Sequence, residues 1–263
     1  MSCLFAYGII DTAAWTDGGA ELQADLEELP GVDLAGEPAV VAVGRLGVLV
    51  SRVPLADFSG PELEANLENL SWLEPRARAH AGVIAAAFAR QAVLPMRFGT
   101  LFSSQDALAS ELGAKEPELL ADLQAVAGLE EWAVRFCANP DALAEQAAIQ
   151  AQEAAGGKSA GAKYLLAKRQ ALKGRPEVAA RLAEAAAEAH GALARHARLA
   201  GPAKAEVTGL AGGRRSLDSR VYLIEQARRP DFLAELERAA GRAEAAGLSA
   251  LVSGPWPPAP EAV

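Results

Sequence analysis

The order of strand-like and helix-like segments in the second half of this 263-residue chain constrains its fold more than any other feature. Residues 130–138 alternate in character, with Trp132, Val134 and Phe136 on one face, as expected of a half-buried strand. The segments that follow are an alanine-rich helical region ending at Gly201-Pro202, strands at 205–210 and 220–225, a helix that Asp231 caps, and a strand at 248–252. Strand, helix, strand, strand, helix, strand is the order of a ferredoxin-like split βαβ fold.

The first half resembles this order only loosely. Its apolar patterns and turn residues predict a strand at 3–10, a short helix before Pro30, a hairpin of strands 39–43 and 48–53, a long helix from Pro61 that Pro75 kinks or restarts, a strand at 93–102, and a helix that Ser104 caps. We therefore expect an α+β protein of two domains. Residues 1–127 form a smaller mixed α+β sheet with helices, and residues 128–263 form the ferredoxin-like domain with a proline-rich tail.

Composition and charge exclude several classes of partner. The formal net charge is −9, so the chain repels the phosphates of nucleic acids and the head groups of anionic lipids. No apolar run reaches the roughly 18 to 20 residues that a membrane-spanning helix needs, and the start of the chain lacks the basic residues of a secretion signal. Cys3 and Cys137 lie in apolar strand-like runs, which favours buried free thiols. We expect a soluble, cytoplasmic protein that binds neither nucleic acid nor membrane.

Motifs that would indicate catalysis or cofactor binding are weak. Gly157-Lys158-Ser159 matches the end of a phosphate-binding loop, but Gln152 stands where the first glycine of that loop belongs. His190 and His196 are six residues apart, so they do not share a helix face as a metal-binding pair does. The G-x-S-x-G turn of a serine nucleophile does not occur. We expect no catalytic residue, no cofactor, no metal site and no small-molecule substrate.

Two residues remain as candidates for protein contact. Arg97 lies in the otherwise apolar segment 94–102, where burial of a lone charge is costly, so it either pairs with a carboxylate or contacts a partner. Trp256 lies between prolines in a polyproline-like segment, which either presents the ring to a partner or folds back into a cleft of its own domain. His80 shares a helical stripe with Ile84, which predicts a core or interdomain histidine.

Short blocks of residues, spread in order along the chain, carry a family resemblance. They are Leu4-Phe5-Ala6-Tyr7-Gly8-Ile9, the strand that ends at Pro54, Trp72-Leu73 with Ala79-His80, the segment 94–102, Glu131-Trp132-Ala133-Val134-Arg135, Gly161-Ala162-Lys163-Tyr164-Leu165, Tyr222-Leu223-Ile224 and Gly254-Pro255-Trp256-Pro257-Pro258. Together these blocks resemble the GvpL/GvpF family of gas vesicle proteins. The resemblance implies two α+β domains, the second a modified ferredoxin-like fold, and a role in gas vesicle formation without catalysis.

The resemblance also implies the partners, which are the small hydrophobic protein that forms the gas vesicle shell and other accessory proteins. The leading hypothesis is a non-enzymatic accessory or minor structural protein that nucleates or chaperones assembly. The alternative is an enzyme or small-ligand sensor with an interdomain cleft, which a buried pocket lined by Arg97 and His80 would favour. A third hypothesis is a generic oligomerisation scaffold.

Overall fold

A computed structural model describes residues 2–15, 19–58, 60–138, 175–203 and 215–259 of the chain. The chain divides into two compact units, one of Met1–Leu129 with Trp256–Val263 and the other of Glu130–Pro255. The assignment of residues 1–127 and 128–263 to separate domains stays a prediction. The predicted strand at 205–210 and the first part of the alanine-rich helical region lie outside the described residues.

The described part of the first unit forms a five-stranded sheet. Its strands are β1 (Ser2–Asp11), β2 (Ala39–Val43), β3 (Leu46–Pro54), β4 (Leu94–Pro95) and β5 (Leu101–Phe102). They follow the order β2-β3-β1-β4, and β5 also pairs with β1; each of these pairings is antiparallel. Because β1 is buried on both faces from residue 3 to residue 10, its sequence is apolar without alternation.

Helices cover both faces of this sheet. They are a 3-10 turn (Thr12–Ala14), α1 (Ala20–Glu27), α2 (Leu55–Phe58), α3 (Gly60–Glu68), α4 (Leu70–Arg90), α5 (Gln105–Gly113) and α6 (Glu116–Val126). On one face, Phe5 and Tyr7 belong to the same buried cluster as Val83 of α4. On the other face, Leu4 belongs to a cluster with Leu108 of α5. Successive residues of β1 thus pack against different helices, as the pleat of a strand requires.

The helix boundaries are set by capping residues. Ser104 caps α5 as predicted, since its Oγ accepts a hydrogen bond of 3.1 Å from the Ala107 amide. The break in the long helical region comes at Asn69, whose side chain accepts from the Ser71 amide, and not at Pro75. Pro75 falls inside α4, where its missing N–H leaves one carbonyl near the start of the helix without its usual partner. The prediction that Pro75 restarts the helix is therefore wrong in position, and a kink at Pro75 stays a prediction.

The β2–β3 hairpin is confirmed, and its turn is shorter than predicted. Only Gly44 and Arg45 lie between the strands, and Val43 pairs directly with Leu46. Gly44 has a φ of +59°, which suits the first position of a type II′ turn. The Glu116 carboxylate accepts a hydrogen bond of 2.6 Å from the Arg45 amide, so α6 holds the tip of the hairpin in place.

The second unit contains a four-stranded sheet among its described residues. Its elements are β6 (Leu129–Ala138), α7 (Arg175–Ala194), β7 (Leu199–Pro202), β8 (Arg215–Glu225), a 3-10 turn (Gln226–Arg228), α8 (Arg229–Ala245) and β9 (Leu248–Trp256). The strand order is β7-β8-β6-β9. As the alternation predicts, Trp132, Val134 and Phe136 are buried and share one core cluster with side chains of α7 and α8.

Three local predictions for this unit need correction. The helix ends at Ala194, and Gly201-Pro202 lies inside β7 instead of ending the helix. Helix α8 begins at Arg229, so Asp231 lies in its first turn and does not cap it. The last strand runs to Trp256 and not to Val252, because proline is tolerated on a strand at the edge of a sheet.

Two buried polar clusters anchor this unit. His190 of α7 shares a hydrogen bond of 2.5 Å between its Nδ1 and the Tyr222 hydroxyl on β8. Burial lowers the pKa of His190 to about 4, so its ring is neutral near pH 7. The carboxylate of Glu130 accepts a hydrogen bond of 2.8 Å from the indole of Trp132 and also binds Arg229. The first cluster joins α7 to β8, and the second joins the start of α8 to β6.

Candidate protein-contact site

Arg97 occupies the first position of a tight turn at one edge of the first sheet. The Thr100 amide donates to the Arg97 carbonyl oxygen at 3.1 Å, and the Thr100 hydroxyl donates to the same oxygen at 2.7 Å. Gly99 has a φ of +90°, as the third residue of a type II turn requires. The predicted continuous strand at 93–102 is therefore wrong: the turn separates β4 from β5. We call residues 97–100 the Arg97 turn.

The backbone on both sides of the Arg97 turn is fixed to β1. The Met96 amide donates to the Tyr7 carbonyl at 2.8 Å, and the Ala6 amide donates to the Thr100 carbonyl at 2.9 Å. Phe98 anchors the turn from within, because its ring contacts the rings of Phe5 and His80 at centroid distances of 5.4 and 5.5 Å. A rigid support thus carries the side chain of Arg97.

Arg97 itself is exposed. Within the described ranges, its guanidinium forms no hydrogen bond or ion pair, so the structure offers no support for the structural ion pair that the sequence left open. An unpaired cation on a fixed backbone loses little conformational freedom in the backbone when it binds. The arrangement suits contact with a partner.

Helix α3 lies against the Arg97 turn and presents leucines to solvent. A Cβ atom built on Gly99 would lie 3.7 Å from Cδ2 of Leu63 on α3. No residue of α3 is buried, and Leu67 is 40% exposed. Leu70, at the start of α4, is 75% exposed. Leu67 and Leu70 lie on either side of the helix break at Asn69. Sequence reasoning missed their exposure, because spacing alone does not show whether anything covers a helix face.

His80 lies in an aromatic cluster and not at a reactive centre. Its ring contacts Phe5 and Tyr7 as well as Phe98. Burial lowers its pKa, and a hydrogen bond with the Met96 backbone opposes part of that shift. A core histidine is what the helical stripe predicted.

Trp256 ends β9 and is 37% exposed. The two prolines that follow it, Pro257 and Pro258, are buried. Just before it, a Cβ built on Gly254 would come within 2.9 Å of the Glu131 carbonyl oxygen, so β9 lies very close beside β6, its neighbour in the sheet. The two prolines pack inwards, while part of the Trp256 side chain stays exposed.

Three features of the described residues bear on metal binding, thiol reactivity and pocket lining. Among them, no group of three or more histidine, cysteine or acidic side chains could hold a metal ion. Burial raises the pKa of the Cys3 thiol, which disfavours the reactive thiolate. A pocket of about 270 Å³ is lined by Cys3, Leu4, Arg52 and residues 103–106, and by neither Arg97 nor His80. Gly157-Lys158-Ser159 lies outside the described ranges.

None of the described helices is both long and apolar enough to cross a bilayer.

Comparisons with known proteins place the chain in a family. The model of the family described as "Gas vesicle synthesis protein GvpL/GvpF" matches residues 3–258. Gas vesicle protein L of Streptomyces sp. (strain CB03234) is 29% identical over 229 residues, which are 86% of this chain and 83% of that protein.

Two solved structures share the fold. The crystal structure of GvpF from Anabaena sp. PCC7120 matches with a TM-score of 0.63 and 15% identity over 98% of this chain and 94% of that chain. The crystal structure of GvpF from Microcystis aeruginosa matches with a TM-score of 0.58 and 15% identity over 97% of both chains. Since the family model covers nearly the whole sequence, this α+β chain belongs to the GvpL/GvpF family and takes part in gas vesicle formation.

Proposed function

We propose that this protein is a non-enzymatic accessory or minor structural protein that binds the hydrophobic shell-forming subunit of the gas vesicle, together with other accessory proteins, during assembly. The observation that carries the binding role is the Arg97 turn, which holds an exposed cation on a backbone fixed to β1, with no ion-pair partner among the residues that the structure describes. Trp256, with its partly exposed indole, is the second proposed contact residue.

The physical need for such a protein follows from the shell. A subunit that polymerises into a wall exposes apolar surface before assembly and tends to aggregate. Leu67 at the end of α3 and Leu70 at the start of α4 are exposed apolar side chains. Acidic residues surround them on α3, which keeps the unoccupied surface soluble. Contact through this surface would cover the apolar subunit without enclosing it.

A binding role also accounts for the ionisable groups of the described cores. His80 and His190 have lowered pKa values caused mainly by burial, and each packs among aromatic rings. Neither ring lines the pocket at Cys3 and Arg52, so neither is placed to meet a substrate there. The proposal of a non-enzymatic protein is supported by this packing of both rings within the cores.

Two further parts of the proposal concern the fold and the compartment. We propose that the second unit is a modified ferredoxin-like domain, which its element order and the strand order β7-β8-β6-β9 support. We propose the cytoplasm, on the gas vesicle, as its location, which the charge and the family support.

The experiment is co-purification of the full chain with the shell subunit. We expect the wild-type chain to form a complex, and the double variant Leu67→Lys with Leu70→Lys to lose most of it, because two charges would be buried in the contact. Leu233→Lys is the matched control, since Leu233 is an exposed leucine on α8 of the other unit. Absence of a wild-type complex at micromolar concentration, or equal loss in the control, would refute the proposal.

A further inference from the structure

The two edges of the first sheet differ in how they are protected. At the β4–β5 edge, the Arg97 turn interrupts pairing, so no long edge is presented there. At the other edge lies β2, whose sequence Ala-Val-Val-Ala-Val has no charge and no proline. Its register with β3 runs without a bulge. Proteins normally protect such an edge with charges, prolines or bulges, and β2 has none of them.

The free hydrogen-bonding groups of β2 follow from its register. In a hairpin with a two-residue turn, the pair that flanks the turn, here Val43 and Leu46, is hydrogen-bonded. Bonding then alternates along the strand, so the N–H and C=O groups of Val40 and Ala42 point away from β3. Within the described chain these groups have no hydrogen-bond partner, and Ala42 is exposed.

We propose that β2 pairs antiparallel with β2 of a second copy of this chain, joining two sheets across a two-fold axis at Val41. In that register Val40 of each copy faces Ala42 of the other. Each such pair exchanges two hydrogen bonds, so all four free groups of each strand are satisfied at once. A two-fold contact must be self-complementary, and this one is.

Charge does not oppose this pairing. No residue of β2 carries a charge, so the two-fold contact brings no like charges face to face.

The contact is small. Two five-residue strands bury less than the roughly 1,200 Å² of a standard stable interface, so the dimer is weak and depends on concentration. Such a weak dimer forms where the local concentration of the chain is high, as at an assembling surface. The inference goes beyond the proposed function, because pairing of copies neither requires nor excludes a complex with the shell subunit.

The first experiment measures the mass of the full chain by sedimentation across roughly 10 to 500 μM, where so small an interface associates. We expect the wild-type chain to pass from monomer to dimer. Ala42→Pro removes an N–H that does not bond β3, so the fold is retained while two of the four intermolecular bonds are lost. Association should weaken about thirtyfold. Ala42→Thr, which keeps the N–H, is the matched control and should still dimerise.

The second experiment tests the register by oxidative cross-linking. In the proposed pairing the two Val41 residues form a non-hydrogen-bonded pair with Cα atoms about 4.5 Å apart, within the range of a disulfide. Val41→Cys should therefore give a covalent dimer. Ala39→Cys is the control on the same strand, because its two copies would lie about 14 Å apart. The native thiols of Cys3 and Cys137 are buried and do not interfere.

Three outcomes would overturn the proposal. They are a wild-type chain that stays monomeric at the highest concentration, a dimer that Ala42→Pro leaves unchanged, and equal cross-linking of the two cysteine variants. The wild-type chain could instead be monomeric while Ala42→Pro loses binding to another protein. That result would assign the β2 edge to a strand of the other protein and would also overturn pairing between copies.

Discussion

Arg229, the first residue of α8, binds the fully buried carboxylate of Glu130 on β6, with its Nε 2.9 Å from both carboxylate oxygens. The two residues are 99 positions apart in sequence. Trp132 donates to the same carboxylate, so one buried charge joins the start of a helix to the strand beneath it. Hydrogen bonding to Glu130 raises the pKa of Arg229.

Removal of Arg229 should destabilise the second unit strongly. Arg229→Ala leaves the Glu130 charge buried with only the indole as donor, and the expected loss is about 3 kcal/mol of unfolding free energy. Denaturant unfolding of the full chain measures it. Arg238→Ala is the control, since Arg238 lies on the same helix in a more exposed pair with Glu235 and should cost less than about 1 kcal/mol. Equal losses would contradict the assigned role of Glu130.

Gly44 should not tolerate a side chain. A Cβ there would lie 2.5 Å from Oε1 of Glu116, and the φ of +59° disfavours other residues. We expect Gly44→Ala to lower the thermal midpoint, with a loss of about 1 to 3 kcal/mol. Gly82→Ala on α4 meets nothing within 4 Å and should instead stabilise the chain by about 0.5 to 1 kcal/mol. A loss at both positions would argue against the described turn.

His190 should make the second unit sensitive to acid. Its folded pKa of about 4 lies below the unfolded value of about 6.5. As the pH falls, the unfolded chain therefore takes up the proton first, and stability is lost between pH values of about 6.5 and about 4. Asp218 opposes the shift and Arg220 adds to it. The total loss is on the order of 3 kcal/mol.

The matching variant is His190→Gln, which keeps a hydrogen-bonding side chain but does not titrate. Its stability at pH 7 should be lower than that of the wild-type chain, and its decline from pH 7 to pH 5 should be smaller. Since His80 titrates in both proteins, the difference between the two slopes isolates His190. Identical slopes of stability against pH in the two proteins would contradict the prediction.

Tyr7 should be needed for its hydroxyl as well as its ring. The hydroxyl accepts a hydrogen bond of 2.8 Å from the Val32 amide and lies 2.6 Å from the Ser51 hydroxyl. Tyr7→Phe leaves the buried Val32 amide without a partner, and we expect a loss of about 2 kcal/mol in denaturant unfolding. Ser51→Ala removes one bond but leaves that amide satisfied, so it should cost about 1 kcal/mol or less. The reverse order of the two losses would be inconsistent with this network.

Local chemistry accounts for the parts of the fold that were predicted well. The β2–β3 hairpin follows from Gly44, and the start of α5 follows from the Ser104 hydroxyl, because both signals act within a few residues. The strand at 129–138 follows from alternation, which reports one buried face. In each case the residues that decide the structure are neighbours in sequence.

The Arg97 turn shows where such reasoning fails. The segment 94–102 is apolar enough to predict a continuous strand, and Gly99 was the one local sign of a turn. What decides the turn is the packing of Phe98 against Phe5 and His80, which come from other parts of the chain and also contact each other. The exposure of Leu67 and Leu70 was not predicted either, since the periodicity of a sequence does not reveal what covers a helix.

The sequence by itself determined the family, the α+β class and the ends of several elements, because these depend on short blocks, periodicity and capping residues. Only the tertiary structure decided that Glu130 meets Arg229, that Arg97 lies exposed on a fixed turn, and that β2 is an edge strand of the sheet that the described residues form. These features are contacts, or missing contacts, between segments far apart in sequence. No local propensity encodes them, since the free energy of such a contact exists only once the chain has folded.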